Sequence, residues 1–106
     1  MDLTFEERVR NGAELLDAKR PGWHMEIDLD ALEIRSIHNC ILGQLYGEWT
    51  YGTGEVGIGG DREAQCVNGF DLTYDEYFDD ERLEYLAYRL EELWAREVTE
   101  RCMNYV

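Results

Sequence analysis

The last quarter of the chain carries the pattern that most constrains its fold, because apolar residues recur there at helical spacing. Residues 80–104 keep this period over about seven turns, through Leu83, Leu86, Ala87, Leu90, Leu93, Trp94, Val98 and Cys102. At 1.5 Å per residue, the segment predicts a helix of roughly 37 Å. We therefore expect a long C-terminal helix that spans a domain of this size.

Two capping boxes predict where other helices begin. Thr4 and Glu7 form the first, and apolar residues after it recur at helical spacing, which predicts a first helix over residues 5–18. Thr73 and Glu76 form the second, shortly before the C-terminal helix. In such a box the threonine hydroxyl and the glutamate carboxylate each satisfy a free backbone N–H.

The middle of the chain predicts a second, central helix. Ser36 is a suitable N-cap, and Gly47 can end the helix in a left-handed conformation. Gly43 lies inside this segment, where glycine costs about 1 kcal/mol relative to alanine, so we expect it to permit a close contact. The apolar face is predicted to consist of Ile37, Ile41 and Leu45.

Two further segments leave the fold class partly open. Alternating apolar residues at 25–29 suggest a short strand, and the glycine-rich residues 47–60 suggest a mobile loop or an irregular hairpin. Asp61 can cap a short third helix. We predict a single domain over residues 1–106 that is mainly α, with about four helices, and leave open an α+β fold with one short strand pair.

Charge and cysteine content limit the possible functions and the cellular setting. The 24 acidic and 10 basic residues give a net charge of −14, which disfavours direct nucleic-acid binding and favours a basic protein partner, a divalent cation or simple solubility. The three cysteines are odd in number and far apart, which is typical of reduced thiols. With no long apolar run and no signal-peptide pattern, we expect a cytoplasmic protein without membrane contact.

The familiar chemical motifs are weak in this sequence. Residues 52–57 match G-x-G-x-x-G, but no buried strand precedes them. His38 and Cys40 are too close for the usual zinc-ligand pairing, and their side chains would point in different directions on a helix. A nucleophilic Cys40, which the first turn of a helix would activate, stays only a minor alternative. We expect no enzyme activity, no catalytic residues, no metal and no cofactor; a hydrolase using acidic residues is kept only as a residual alternative.

The acidic stretch that follows residue 70 is the principal candidate for a binding surface. The ordinary interpretation is that these acidic side chains are solvated and that those near helix starts interact favourably with the helix dipole. Tyrosines among them favour a sharper hypothesis, a surface that occupies a basic groove on another protein, because tyrosine adds rigid contact area at interfaces. The candidate partner-binding residues are Asp71, Tyr74, Asp75, Tyr77, Asp79, Asp80, Glu84 and Tyr85.

A second function hypothesis is a small-ligand binder in which the glycine-rich segment closes over a pocket. Its aromatic walls would be Trp23, Trp49 and Tyr51, and a nucleotide-like ligand would need Arg35 and Arg62 to converge locally. A homo-oligomer formed through the C-terminal helix is compatible with either hypothesis.

Four short motifs carry a resemblance to a known family. They are Asn11-Gly12-Ala13-Glu14-Leu15-Leu16-Asp17, Arg20-Pro21-Gly22-Trp23, Ile27-Asp28-Leu29-Asp30-Ala31-Leu32 and Cys40-Ile41-Leu42-Gly43-Gln44-Leu45-Tyr46-Gly47. In order and spacing, residues 11–47 resemble a family of small proteins of unassigned function from actinobacterial phages and their hosts. The resemblance implies a phage-type accessory protein that acts inside a bacterial cell, and it implies no catalytic residues.

Overall fold

The long C-terminal helix is present in the computed structural model, which describes residues 2–104. It is helix α6, Leu83–Asn104, and it buries the predicted apolar stripe from Leu86 to Val98. The mainly α fold class is confirmed, since the described residues contain α-helices and one 3₁₀ turn but no strand. The helices that precede α6 are α1 (Phe5–Lys19), α2 (Ile41–Tyr46), α3 (Trp49–Glu55), α4 (Arg62–Val67) and α5 (Tyr74–Tyr77).

Helix α1 begins at the predicted capping box. The Thr4 hydroxyl accepts from the Glu7 N–H, and the Glu7 carboxylate accepts from the Thr4 N–H, both at 3.1 Å. The helix packs along α6, and its Gly12 lies against the Asn68 carbonyl and the Trp94 ring. A side chain at position 12 would separate α1 from both neighbours, so this glycine sets the spacing.

Trp94 lies at the centre of the hydrophobic core and is fully buried. Its ring stacks on Phe70 with centroids 5.3 Å apart and meets the edge of Trp23 at 5.9 Å. Its Nε1–H donates to the Gly69 carbonyl at 2.7 Å. The radius of gyration is 12.8 Å, close to the value of about 13 Å expected for a compact chain of this length.

The strand suggested at residues 25–29 is wrong. The chain forms a 3₁₀ turn at Trp23–Glu26 instead, after Gly22 adopts a positive φ of 83°. Burial of Trp23, which is 0% exposed, fixes this turn, and its Nε1–H donates to Asp17 at 2.8 Å. Tertiary packing of one large side chain therefore overrides the local alternation.

The predicted start of the central helix is also wrong. Helix α2 begins at Ile41 with Cys40 as its N-cap, and Ile37 is 54% exposed rather than packed. Ser36 caps the preceding turn, where its hydroxyl accepts from the His38 and Asn39 N–H groups. Gly43 does permit a close contact, but with the backbone of this turn rather than with another helix.

The glycine-rich residues 47–60 are neither a mobile loop nor a hairpin, because most of them form helix α3 and its ends. Glu48 caps α3 by accepting from the Tyr51 N–H at 3.3 Å. Gly52 faces Leu42 and Tyr46 so closely that a Cβ there would meet Leu42 at 2.8 Å. Close packing against α2 therefore holds a helix that propensity disfavours.

The two helix caps predicted after residue 60, at Asp61 and Thr73, are confirmed. Asp61 accepts from the Ala64 N–H at the start of α4, and the Thr73–Glu76 capping box opens α5. Helix α5 contributes no buried residue to the core. Within residues 2–104, no helix combines the length and apolar character needed to cross a membrane.

Candidate functional site

A groove of about 650 Å³ runs beside α6, bounded by residues 33–37 on one side and residues 70–72 on the other. Its floor is apolar and includes Ile34, Phe70, Leu72 and Ala87. The volume lies in the range of sites that enclose a small ligand or part of a peptide. The groove is the natural place to look for a binding function.

Two hydrogen bonds hold the walls of the groove in place. The Ile34 N–H donates to the Glu91 carboxylate at 3.1 Å, which ties residues 33–37 to α6. The Trp49 Nε1–H donates to the Phe70 carbonyl at 2.9 Å, which ties α3 to residues 70–72. These bonds connect segments far apart in sequence, so the groove is preformed by the fold.

The charge of the groove is strongly negative. Among the described residues that line it, four carry carboxylates, Glu33, Asp71, Glu84 and Glu91, and one is an arginine, Arg35. Within residues 2–104, only Asp71 of these four forms an ion pair, with Arg62 at 3.3 Å. Burial nevertheless raises the pKa of Asp71, against the hydrogen bond from the Leu72 N–H and the attraction of Arg62. The groove therefore attracts cationic groups.

An exposed aromatic patch continues the groove across α5 and the first turns of α6. Tyr77 and Tyr88 belong both to the patch and to the groove lining. Phe78 is 60% exposed, although its ring contacts those of Tyr74 and Tyr77 at 4.6 and 5.3 Å. Large exposed aromatic groups beside one another mark contact surfaces. The aromatic patch consists of Tyr74, Tyr77, Phe78, Tyr85 and Tyr88.

Part of the aromatic patch lies on α5, which an ion pair joins to α1. Arg8 of α1 donates from both terminal nitrogens to the Glu76 carboxylate, at 2.8 and 2.9 Å. Burial acts to raise the pKa of Glu76, but the hydrogen bonds from Arg8 and Thr73 outweigh it, so this pKa lies below its usual range. Glu76 thus stays charged and both caps and anchors α5.

The structure divides the predicted partner-binding residues between neighbouring surfaces. Asp71, Tyr77 and Glu84 line the groove, and Tyr74 and Tyr85 belong to the aromatic patch. Asp80 is exposed in the turn before α6. Two others line a separate depression between α5 and the start of α1, namely Asp75 and Asp79. The candidates chosen from the sequence omit Phe78, Tyr88 and Glu91, although Tyr88 is one of the tyrosines in the acidic stretch. The helical spacing of Glu84, Tyr88 and Glu91 could have indicated that they share a face.

The pocket predicted for a small ligand is not formed by its five residues. Arg35 and Trp49 line the groove, but Trp23 is buried against Trp94. Tyr51 is exposed on α3, where Glu55 raises its pKa. Arg62 donates to the Leu72 carbonyl at 3.0 Å in addition to its ion pair with Asp71.

Cys40 and His38 have structural roles. The Cys40 Sγ accepts from the Gly43 N–H at 3.3 Å as the cap of α2, and burial raises the pKa of this thiol. His38 Nδ1 donates to the Gly47 carbonyl at 2.9 Å. The part of the chain that the structure describes holds no cluster of three or more metal-ligating side chains. The G-x-G-x-x-G match lies in α3 and the turn after it.

Fold and site together define a small all-helical protein with an acidic groove bordered by exposed aromatic side chains. Comparisons of the chain with protein-family models, with curated proteins and with solved structures found no match.

Proposed function

We propose that this protein is a non-enzymatic accessory protein that binds a basic partner protein and modulates it. The observation that carries the proposal is the continuity between the acidic groove and the aromatic patch, which share Tyr77 and Tyr88. Aromatic residues supply contact energy at interfaces. Carboxylates attract and orient a cationic partner.

The charge of the surface supports a partner that binds nucleic acid. Residues 71–92 contain nine acidic residues and two basic ones. Such a surface repels phosphate backbones. Its carboxylates can instead occupy a basic site on a protein that otherwise binds the phosphates of nucleic acid. From the sequence pattern of residues 11–47, we further propose the cytoplasm of a bacterial host as the setting and a host protein as the partner.

Affinity capture with matched variants tests this function. The protein is immobilised as wild type, as the double variant Tyr74→Ser/Tyr85→Ser and as Tyr51→Ser, which removes an exposed tyrosine from α3. Each is incubated with actinobacterial lysate at about 50 mM and about 500 mM salt, since salt screens exposed charges. We expect wild type and Tyr51→Ser to retain the same basic proteins at low salt only, and the double variant to lose them.

Two results would contradict the proposal. One is capture that is equal for all three variants, which would mean that the aromatic patch makes no contact. The other is capture that is unchanged at high salt or restricted to acidic proteins, which would exclude charge complementarity as the basis of binding.

The alternative, a binder of a nucleotide-like ligand, receives less support from the site. Arg35 is the only basic residue among the described residues that line the groove, and Arg62 already pairs with Asp71. An anionic ligand would therefore face uncompensated carboxylates. A thermal-shift screen with nucleotides separates the two functions, because bound ligand stabilises the fold; stabilisation by any nucleotide would favour the alternative.

A further inference from the structure

Three arginines of this protein form the same arrangement, in which a guanidinium is paired with a carboxylate and lies over an aromatic ring. Arg20 donates from two nitrogens to Glu26, at 2.9 and 2.8 Å, and lies 4.8 Å from the Tyr46 centroid. Arg8 pairs with Glu76 and lies 4.7 Å from the Phe5 centroid. The third set is Arg101, Asp17 and Trp23.

The groove contains two carboxylates beside one aromatic ring, but no arginine of the described residues completes the arrangement there. Tyr88 is 64% exposed on α6, with Glu84 one turn before it and Glu91 one turn after it. Residues three or four apart on a helix share a face, so both carboxylates flank the same ring. Within residues 2–104, neither carboxylate forms an ion pair and no arginine lies over Tyr88. One oxygen of Glu91 accepts from the Ile34 N–H, so a guanidinium from another molecule can pair with Glu84 on one side of Tyr88 and with the second oxygen of Glu91 on the other.

The spacing of these carboxylates limits the form of the occupant. Glu84 and Glu91 are seven residues apart, which is about 10.5 Å along the helix axis. In an extended peptide, residues i and i+4 are about 13 Å apart and point to the same side, with residue i+2 between them. Two long arginine side chains at i and i+4 can converge on these carboxylates, and residue i+2 faces the apolar floor at Phe70 and Leu72.

The charge of the groove also limits its occupant. A second copy of this chain is an unsuitable occupant, since its net charge of −14 would be repelled. The charge and the apolar floor together match a short basic segment with one apolar anchor.

We infer that the groove binds an extended segment of the partner with the pattern Arg-x-apolar-x-Arg, its guanidinium groups on either side of Tyr88 and its apolar side chain on the floor. This assignment rests on the proposed function and specifies its ligand. Arginine is required rather than lysine, because only its planar group pairs with a carboxylate through two nitrogens while it stacks on a ring.

Four synthetic peptides test the pattern on the full-length protein. The probe is Gly-Arg-Ser-Leu-Ser-Arg-Gly, and a control of identical composition, Gly-Ser-Arg-Leu-Arg-Ser-Gly, moves both arginines to the side opposite leucine. A third peptide has lysine for both arginines, and a fourth has serine for leucine. Binding is followed by NMR through the indole N–H of Trp49 in the groove wall, with that of Trp23, which donates to Asp17, as the internal reference.

We expect the probe to shift the Trp49 signal and leave the Trp23 signal unchanged. The control of identical composition should bind about fivefold more weakly. The affinity of the lysine peptide should be lower than that of the probe by about threefold or more. The affinity of the serine peptide should be lower by about tenfold. Equal affinity of the probe and any one of these three would overturn the assignment while leaving the proposed function standing. If no cationic peptide shifts Trp49, the proposed function fails as well.

Protein variants provide the matching control. Glu84→Gln/Glu91→Gln removes both charges beside Tyr88, whereas Glu14→Gln/Glu100→Gln makes the same change in net charge at exposed sites outside the groove lining. The first double variant should lose at least about tenfold in probe affinity, as expected for two lost charge-assisted hydrogen bonds. The second should lose less than about twofold, since exposed distant charges are screened. Equal losses would show that net charge alone attracts the peptide and would overturn the assignment.

Discussion

Arg8 and Glu76 are 68 residues apart in sequence, yet their side chains form a two-nitrogen ion pair that joins α1 to α5. Arg8 is nearly inaccessible, with a side chain that is 5% exposed. Helix α5 buries no residue of its own, so this pair is an important link between the α5 part of the aromatic patch and α1.

Removing the arginine should destabilise the fold and release α5. In Arg8→Met, the carboxylate of Glu76 loses both donors, and we expect the free energy of unfolding to fall by about 2–3 kcal/mol. Amide hydrogen exchange in α5 should accelerate more than exchange in α6. The control is Arg10→Met, an exposed arginine of the same helix, which should change stability by less than about 0.5 kcal/mol. Equal effects of the two substitutions would contradict an anchoring role.

The same pair predicts a pH dependence. The folded pKa of Glu76 lies below its usual value, so the charged form contributes stability in full above the unfolded pKa, about 4.3, and the contribution is lost as pH falls through the folded pKa. Glu76→Gln keeps the capping side chain but removes the charge. The stability difference between wild type and Glu76→Gln, measured by urea unfolding, should therefore shrink below about pH 4.3. A difference that stays constant from pH 7 to pH 3 would contradict this.

Two glycines should respond to alanine in opposite directions. At Gly12 a Cβ would lie 2.8 Å from the Trp94 ring and closer still to the Asn68 carbonyl, so Gly12→Ala should cost about 2 kcal/mol or more. At Gly54, in α3, a Cβ would meet nothing within 4 Å, so Gly54→Ala should gain up to about 1 kcal/mol. Thermal unfolding of both variants provides the measurement, and a similar change in both would exclude close packing as the reason for Gly12.

The three thiols should differ in reactivity. Burial raises the pKa of both Cys40 and Cys66, whereas Cys102 is exposed. We expect a disulfide reagent at about pH 8 to modify Cys102 rapidly. Cys40 and Cys66 should react only when the protein opens, because the thiolate is the reacting form and burial disfavours it. Cys102→Ser should abolish the rapid phase. A rapid phase that persists in Cys102→Ser would support the alternative hypothesis that Cys40 is a reactive nucleophile.

Asp71 should show opposite effects on stability and binding. Burial raises its pKa, so the folded state disfavours its charge at neutral pH, and Asp71→Asn should melt at the same temperature as wild type or higher at pH 7. The same variant should bind the arginine probe more weakly, since one groove carboxylate is lost. A large loss of stability would instead assign Asp71 a structural role through Arg62.

Local sequence signals predicted the parts of the fold that depend on few residues. The capping boxes at Thr4 and Thr73 and the cap at Asp61 bond within one helical turn, so their residues suffice to identify them. The apolar stripe of α6 is equally local. The acidic and tyrosine-rich composition likewise indicated Tyr77 and Glu84, both of which line the groove.

Long-range packing determined what local signals could not predict. Helix α3 depends on Gly52 lying against α2, and the turn at Trp23 depends on a ring 71 positions later in the chain, Trp94. Phe78 was not predicted as a surface contact residue, because the sequence does not show whether an apolar residue within an acidic segment is buried or exposed. The groove itself unites residues 33–37 with α6, and no spacing pattern indicates which distant segments will meet.

The absence of buried residues in α5 has an evolutionary consequence. Substitutions at Tyr74, Tyr77 or Phe78 remove no core contact, so they should cost little folding free energy. Provided that Thr73 and Glu76 are kept, the sequence of α5 can vary while the rest of the fold stays constant. Under the proposed function, a change of partner would therefore require no redesign of the fold.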